Sequence, residues 1–377
     1  MKLIQIILFG LGLGSAMPVR PAAPPQRWSA EEANAWVKKE GWLVGCNFTP
    51  STAINQLEMW QADTFDPATI DRELGWAGQL GFNSVRVFLH NLLWEQDADG
   101  FLNRMDQFLA SAHKHHIKAI FVLFDSCWNP YPKLGRQPVP KPFVHNSGWA
   151  QSPGADYLAH PDRLDQLKPY VEGVIGHFRE DQRIAFWDVF NEPDNMNDPA
   201  YIKIESDNKQ ASALLLLKKA FIWAREAKSG QPLSSGVWMG HWSDPSKLSA
   251  IEQAQLGESD IITFHNYGRL EDVKQCVQNL RRYNRPILCT EFMARPTGST
   301  FDPILRYFKE QNVGACNWGF VSGKTQTIFP WDSWTKNYLS EPPMWFHDIL
   351  RKDGTPFSET EVAFIRSVTI GTKGSNR

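Results

Sequence analysis

Cysteine is scarce in this chain, five among 377 residues. An odd and small number does not supply a disulfide framework for a protein of this size. Cys46, Cys289 and Cys316 fall inside apolar runs that read as strands, where a thiol behaves as a small buried hydrophobe. Cys127 follows a strand end, and a nucleophilic role there would need a basic partner. An excess of one charge sign is also missing. The 39 Lys and Arg nearly balance the 41 Asp and Glu, for a net charge of −2, so neither a nucleic acid nor an anionic membrane surface is indicated as a partner. Long apolar runs are missing apart from Leu3 to Leu13, which is too short and too glycine-rich for a good membrane span. With Lys2 before it and Gly14-Ser15-Ala16 after it, that run reads as a secretory signal over residues 1–16, for a secreted or periplasmic protein. No cysteine follows it, which disfavours a lipoprotein. No glycine-rich turn follows the first strand, since Gly41 to Ser51 carries no such fingerprint, and this argues against a doubly wound nucleotide-binding sheet. No fixed-period repeat is present.

What the chain does have is apolar and aromatic material, with 16 Trp, 23 Phe and 42% hydrophobic residues, enough for a large core. Eight strand-like runs can be counted: Trp42 to Phe48, Asn83 to His90, Lys118 to Asp125, Ile184 to Glu192, Ser234 to Met239, Asp260 to Tyr267, Pro286 to Phe292 and Gly314 to Val321. Most are short and apolar, as expected of strands buried on both faces. Helical spacing lies between them, for instance Leu164, Leu167, Val171, Val174, Ile175 and Phe178, and Asp66-Pro67 reads as an N-cap followed by proline at the first helical position. The alternation predicts an α/β fold, a single-domain (β/α)8 TIM barrel over residues 28–368, with a disordered lead-in at 17–27 and a flexible tail at 369–377. A monomer is expected.

Two insertions stand out. Ser126 to Pro161 follows the third strand and carries Trp128, Tyr131, Trp149 and Tyr157; Ser322 to Pro343 follows the eighth and carries Trp331, Trp334 and Tyr338. Both would emerge at the C-terminal face of a barrel, where such enzymes build their sites. Aromatic platforms suit the apolar C–H faces of sugar rings. The same aromatics would also serve simply to pack the loops together.

The strongest chemical signal is a pair of glutamates, Glu192 ending the fourth strand and Glu291 ending the seventh. A carboxylate closing an apolar strand is costly to desolvate. Strands three apart face each other across a barrel mouth, and two facing carboxyls are what glycosidic bond cleavage requires. Around them, His265 and Tyr267 end the sixth strand with period two, while Arg86, Phe88 and His90 share one side of the second. An inward Arg86 would hold Glu291 ionised, and Glu192 among aromatics would keep a raised pKa as proton donor. Asn191 would bond a sugar 2-hydroxyl, and Trp318 would floor the pocket.

Asn191-Glu192-Pro193 after strand four, a Glu ending strand seven and Trp318 on strand eight resemble glycoside hydrolase family 5, the cellulase family, within a clan of retaining (β/α)8 hydrolases. The resemblance runs from Trp42 to Asp353-Gly354-Thr355-Pro356. It implies Glu192 as acid/base, Glu291 as nucleophile, and Arg86 and Tyr267 as groups orienting the nucleophile. It also implies Asn191 at the 2-hydroxyl, His265 near the acid/base and Trp318 as stacking platform. The family usually has a histidine at the end of strand three; here the stretch reads Phe124-Asp125-Ser126-Cys127-Trp128, which leaves Asp125 or Trp128 to take its place. The expected function is a retaining β-glycoside hydrolase acting on glucan, mannan or xylan-type chains. Transglycosylation at the same site and a non-catalytic carbohydrate-binding barrel are the alternatives. No cofactor and no metal are expected. His113-Lys114-His115-His116 looks metal-like but lies before strand three, at the far face of the barrel, with no carboxylate or Cys to complete a set.

Overall fold

A computed structural model describes residues 26–370. The expected signal segment, the lead-in up to residue 25 and the tail from residue 371 lie outside the described residues. Eight parallel strands form one sheet: β1 Val44–Asn47, β2 Ser84–Phe88, β3 Lys118–Asp125, β4 Ile184–Asn191, β5 Leu233–Ser234, β6 Ile262–His265, β7 Ile287–Phe292 and β8 Gly314–Asn317. Their order is β5-β4-β3-β2-β1-β8-β7-β6. The ends meet through a parallel bridge between Val237 and Phe264, where Val237 N donates to Thr263 O (3.1 Å) and His265 N to Val237 O (2.9 Å). The result is a nearly closed (β/α)8 barrel. Strand residues other than Lys118 are buried, because helices cover the outside and side chains fill the inside.

The covering helices are amphipathic for the reason their sequences suggest. Helix Lys168–Phe178 buries Val171, Val174, Ile175 and Phe178, and helix Phe301–Glu310 buries Phe301, Ile304, Leu305 and Phe308, one stripe each. Helix Pro67–Gln79 starts at Asp66, whose carboxylate accepts from Thr69 N (3.0 Å). Among the described residues no helix is long and apolar enough to cross a membrane. All five cysteines are free, and Cys46, Cys289 and Cys316 sit in the core. In the His113 to His116 run, His115 rests against Asp71 (3.0 Å) beside Lys114 (2.8 Å), a surface ion pair.

Several strands are shorter than expected: β6 ends at His265, so Tyr267 lies beyond it, and three further differences move a residue of interest. The fifth strand is Leu233–Ser234 rather than Ser234 to Met239. Ser235 and Gly236 break the run: Ser235 Oγ turns to donate to Phe190 O (2.7 Å), leaving only Val237 to rejoin the sheet. The eighth ends at Asn317, so Trp318 lies just past the ladder, where Asn317 Nδ2 donates to Gly319 O (2.5 Å) and Gly319 takes a φ of +78°. The second ends at Phe88, and His90 becomes the N-cap of the helical stretch Asn91–Lys114.

Candidate active site

Arg86 organises the barrel mouth. It is fully buried at mid-barrel on β2, and its planar fork spans three strands. Nη1 donates to Glu291 Oε1 and Asn47 Oδ1 (2.8 Å each), Nη2 to Asp188 Oδ2 (2.8 Å) and Asn191 Oδ1 (2.6 Å), and Nε to Asp188 Oδ2 (3.0 Å). One cation is thus shared between two buried carboxyls, with every N–H direction of the fork toward an acceptor. Asp188, inside the apolar run of β4, was not among the expected site residues, although an acid buried at mid-strand needs a partner as much as one at a strand end.

Glu291 and Glu192 meet over His265. Glu291 Oε2 accepts from Tyr267 OH (2.7 Å) while Oε1 accepts from Arg86. Glu192 Oε1 lies 2.7 Å from His265 Nδ1, and its Oε2 accepts from Asn195 Nδ2 (2.7 Å) and the Cys127 thiol (3.3 Å). His265 Nδ1 is also 3.6 Å from Glu291 Oε2. The ligand-type atoms of Glu192, His265 and Glu291 all fall within 4.8 Å of one another. A metal would accept that spacing, but both oxygens of Glu291 already receive proton donors, and a guanidinium at 2.8 Å repels a second cation. One carboxyl oxygen of Glu192 therefore lies within 4.8 Å of one of Glu291. Glu192 is reached through a tight exit from β4. Its φ is +43°, a left-handed conformation costly for a side chain of this size, and its carbonyl accepts from Asn195 N (2.9 Å).

The electrostatics are those of a buried site. Burial pushes the Glu192 carboxyl up, opposed by its bonds from Asn195 and Cys127 and by the charge of Arg86. Burial also pushes Glu291 up, opposed by His265 and by Arg86, and Glu192 adds to the rise. Burial lowers His265 to about 4, so its ring is neutral near pH 7. The Cys127 thiol is driven well up by burial and by the carboxyls of Glu192 and Asp125, which makes it a weak neutral donor rather than a nucleophile.

These groups open into a pocket of about 290 Å³, walled by Trp128, Trp238, Trp318, Trp331 and Trp334. Trp128 stacks on Trp334 (5.4 Å, 14°), joining the two insertions face to face. Trp331 meets Tyr267 edge-on (5.0 Å) and keeps 38% of its surface exposed. Trp318 stands on Phe88 (5.7 Å) and Trp149 (5.9 Å). Of the expected residues, Arg86, Asn191, Glu192, His265, Tyr267, Glu291, Trp128 and Trp318 converge here. His90 does not. It is fully buried, its Nδ1 accepts from Leu92 N (3.2 Å), and burial drops it to about 3, so it is a neutral helix cap outside the pocket. Asp125 supports rather than lines the site. Its Oδ1 takes Asn191 Nδ2 (2.9 Å) and its Oδ2 takes Trp149 Nε1 (2.7 Å), with burial raising it to about 6. Trp331, Trp334, Trp238 and Asn195 are pocket residues that were not singled out individually. For Trp331 and Trp334 the aromatic content of the last insertion was the available signal. A sugar stacked on Trp331 should feel its loss: Trp331→Ala is expected to raise KM about tenfold with kcat little changed, measured on an oligosaccharide substrate.

No protein-family model matches the chain, and no curated protein matches it by sequence. Solved structures do match. GH5_18 from Streptomyces cattleya, in complex with GlcNAc, superposes with a TM-score of 0.56 at 12% identity, over 88% of this chain and 79% of that one. The β-mannanase of the blue mussel Mytilus edulis gives 0.53 at 14% identity, over 88% and 92%. The exo-β-1,4-mannosidase Op5Man5 from Opitutaceae bacterium strain TAV5 gives 0.56 at 17% identity, over 88% and 60%. The likeness is one of fold. At these identities it places the chain among (β/α)8 barrels and leaves the chemistry to be argued from the site.

Proposed function

We propose that this protein is a retaining β-glycoside hydrolase. The observation that carries the reading is the pairing of Glu192 and Glu291 across one pocket, with Arg86 and Tyr267 bonded to Glu291 and not to Glu192. Those two donors stabilise negative charge on Glu291 and make it the nucleophile. Glu192 contacts no full cation directly and has a neutral imidazole, an amide and a thiol around it, so the shared proton resides there. Glu291 attacks the anomeric carbon while Glu192 protonates the departing oxygen. A glycosyl ester forms on Glu291, and Glu192, now a carboxylate, takes a proton from the water that releases the sugar. Asn191 is held by Arg86 and Asp125, and its second N–H faces the Cys127 sulfur (3.4 Å), a weak acceptor that a sugar 2-hydroxyl would displace. The substrates are β-linked glucan, mannan or xylan-type chains. The mannan-active enzymes among the fold neighbours make β-1,4-mannans the first to test. Export through residues 1–16 would bring the enzyme to such polymers. A panel of aryl β-glycosides and β-linked polysaccharides tests activity, and anomeric NMR of the first product tests retention; an inverted product would sink the double displacement.

The pH profile follows from the same assignment. As pH falls, Glu291 is protonated and the nucleophile is lost; as pH rises, Glu192 gives up its proton and the acid is lost. Burial raises both carboxyls, so both limbs of the kcat/KM bell are expected above the range in which a solvated glutamate titrates. The two apparent values belong to the coupled pair. In a Glu192→Ala variant assayed on an activated aryl glycoside, the alkaline limb should vanish while the acid limb stays.

A further inference from the structure

The hydrogen bonds that hold Glu192 continue out of the pocket into a buried ion pair. Asn195 Nδ2 donates to Glu192 Oε2 (2.7 Å), and Asn195 Oδ1 accepts from Asn197 N (2.8 Å). The Asn197 amide is fully used: Oδ1 accepts from Trp128 N (2.6 Å), and Nδ2 donates to Ser126 O (2.8 Å) and Glu205 Oε1 (2.6 Å). Glu205 Oε1 also accepts from Gln151 Nε2 (2.6 Å) and Lys209 Nζ (2.7 Å), and Lys209 Nζ donates to Ser126 O (2.9 Å). Gln151 closes the loop by donating to Trp128 O (2.9 Å). The side chains of Lys209 and Glu205 are 0% and 1% exposed.

A buried ion pair is weak evidence for stability, since apolar residues of similar volume often do as well or better in its place. What this pair does have is position. It joins the segment after β3, which carries Trp128, to the segment after β4, which carries Asn195 and Asn197. Trp128 and Asn197 sit at φ of +68° and +55°, left-handed values that surrounding bonds must hold. We propose that Lys209 and Glu205 are positioning residues that hold Glu192 and the Trp128 platform in register across the pocket; this rests on the reading of Glu192 as proton donor.

The test uses leaving groups. An activated aryl β-glycoside, such as the 2,4-dinitrophenyl one, departs without protonation, so a misplaced Glu192 costs its first step little. An alkyl-substituted phenyl glycoside needs the proton. In Lys209→Met and Glu205→Gln, the ratio of kcat/KM for the poor leaving group to that for the activated one is expected to fall about tenfold. A merely structural role would lower both constants together and leave the ratio alone. Where the single variants strand a charge and fail to fold, the double variant Lys209→Met/Glu205→Leu carries the test, because it buries no charge yet removes the acceptor for Asn197. A folded double variant with an unchanged ratio overturns the proposal. Wild-type protein inactive on every β-glycoside would instead overturn the hydrolase reading, and this inference with it.

Discussion

Glu291→Gln is expected to lower turnover of an aryl β-glycoside by about 10⁴-fold or more, some 5.5 kcal/mol of lost transition-state stabilisation. The amide keeps the shape of the carboxylate, so an oxygen can still meet Arg86 or Tyr267, and Asp188 still neutralises Arg86 inside the barrel. Folding should therefore survive, and the loss should fall on kcat. What the variant cannot do is form the glycosyl ester. A smaller replacement sharpens the test. Glu291→Ala leaves room beside Arg86 for a small anion, and added azide should restore part of the rate and yield a glycosyl azide of inverted configuration. Glu192→Ala should instead yield the glycosyl azide of retained configuration, so the two anomers separate the two roles on one bench. Near-normal turnover in Glu291→Gln would remove the nucleophile assignment altogether.

How much of this was legible before any coordinates depends on where the energetic cost shows in the sequence. Glu192 and Glu291 were visible because each closes an apolar run, and a carboxyl there needs a reason. Arg86 was visible because alternation on β2 aims it inward. The same alternation misled at His90. The period-two rule holds only while the strand lasts, and β2 stops at Phe88, so two residues later the chain has turned into a helix start. Asp188 was there to be found by the argument applied to the glutamates. Its position at mid-strand, away from the mouth, kept it out of view. The support behind Glu192 was not legible at all. Asn195, Asn197, Glu205 and Lys209 lie in a polar stretch that reads as solvated loop and helix start, and only the folding of one segment onto another buries Asn197, Lys209 and the Glu205 side chain. Strand five was misplaced because Ser235 turns its hydroxyl to Phe190 O and Gly236 has no side chain to pack, so the ladder breaks after Ser234.

Removing Arg86 is expected to have the largest effect on stability. Arg86→Met deletes five hydrogen bonds and leaves Asp188, fully buried with one oxygen already unpartnered, without a counter-charge. Breaking a buried pair from one side typically costs about 3–5 kcal/mol, because the stranded charge keeps its desolvation penalty. Arg86→Lys should recover little of this, since a single ammonium cannot reach acceptors on three strands at once. The informative variant is the double, Arg86→Met/Asp188→Leu. With both charges replaced by apolar groups of similar size, most of the lost stability should return in urea denaturation, as it does when whole buried ion pairs are exchanged for packed hydrophobes. Activity should not return, because Glu291 then has only Tyr267 to favour its ionised form, and the pair's single proton is no longer directed to Glu192. A stable double variant with wild-type turnover would mean that Arg86 only holds the barrel together, and that something else charges the nucleophile.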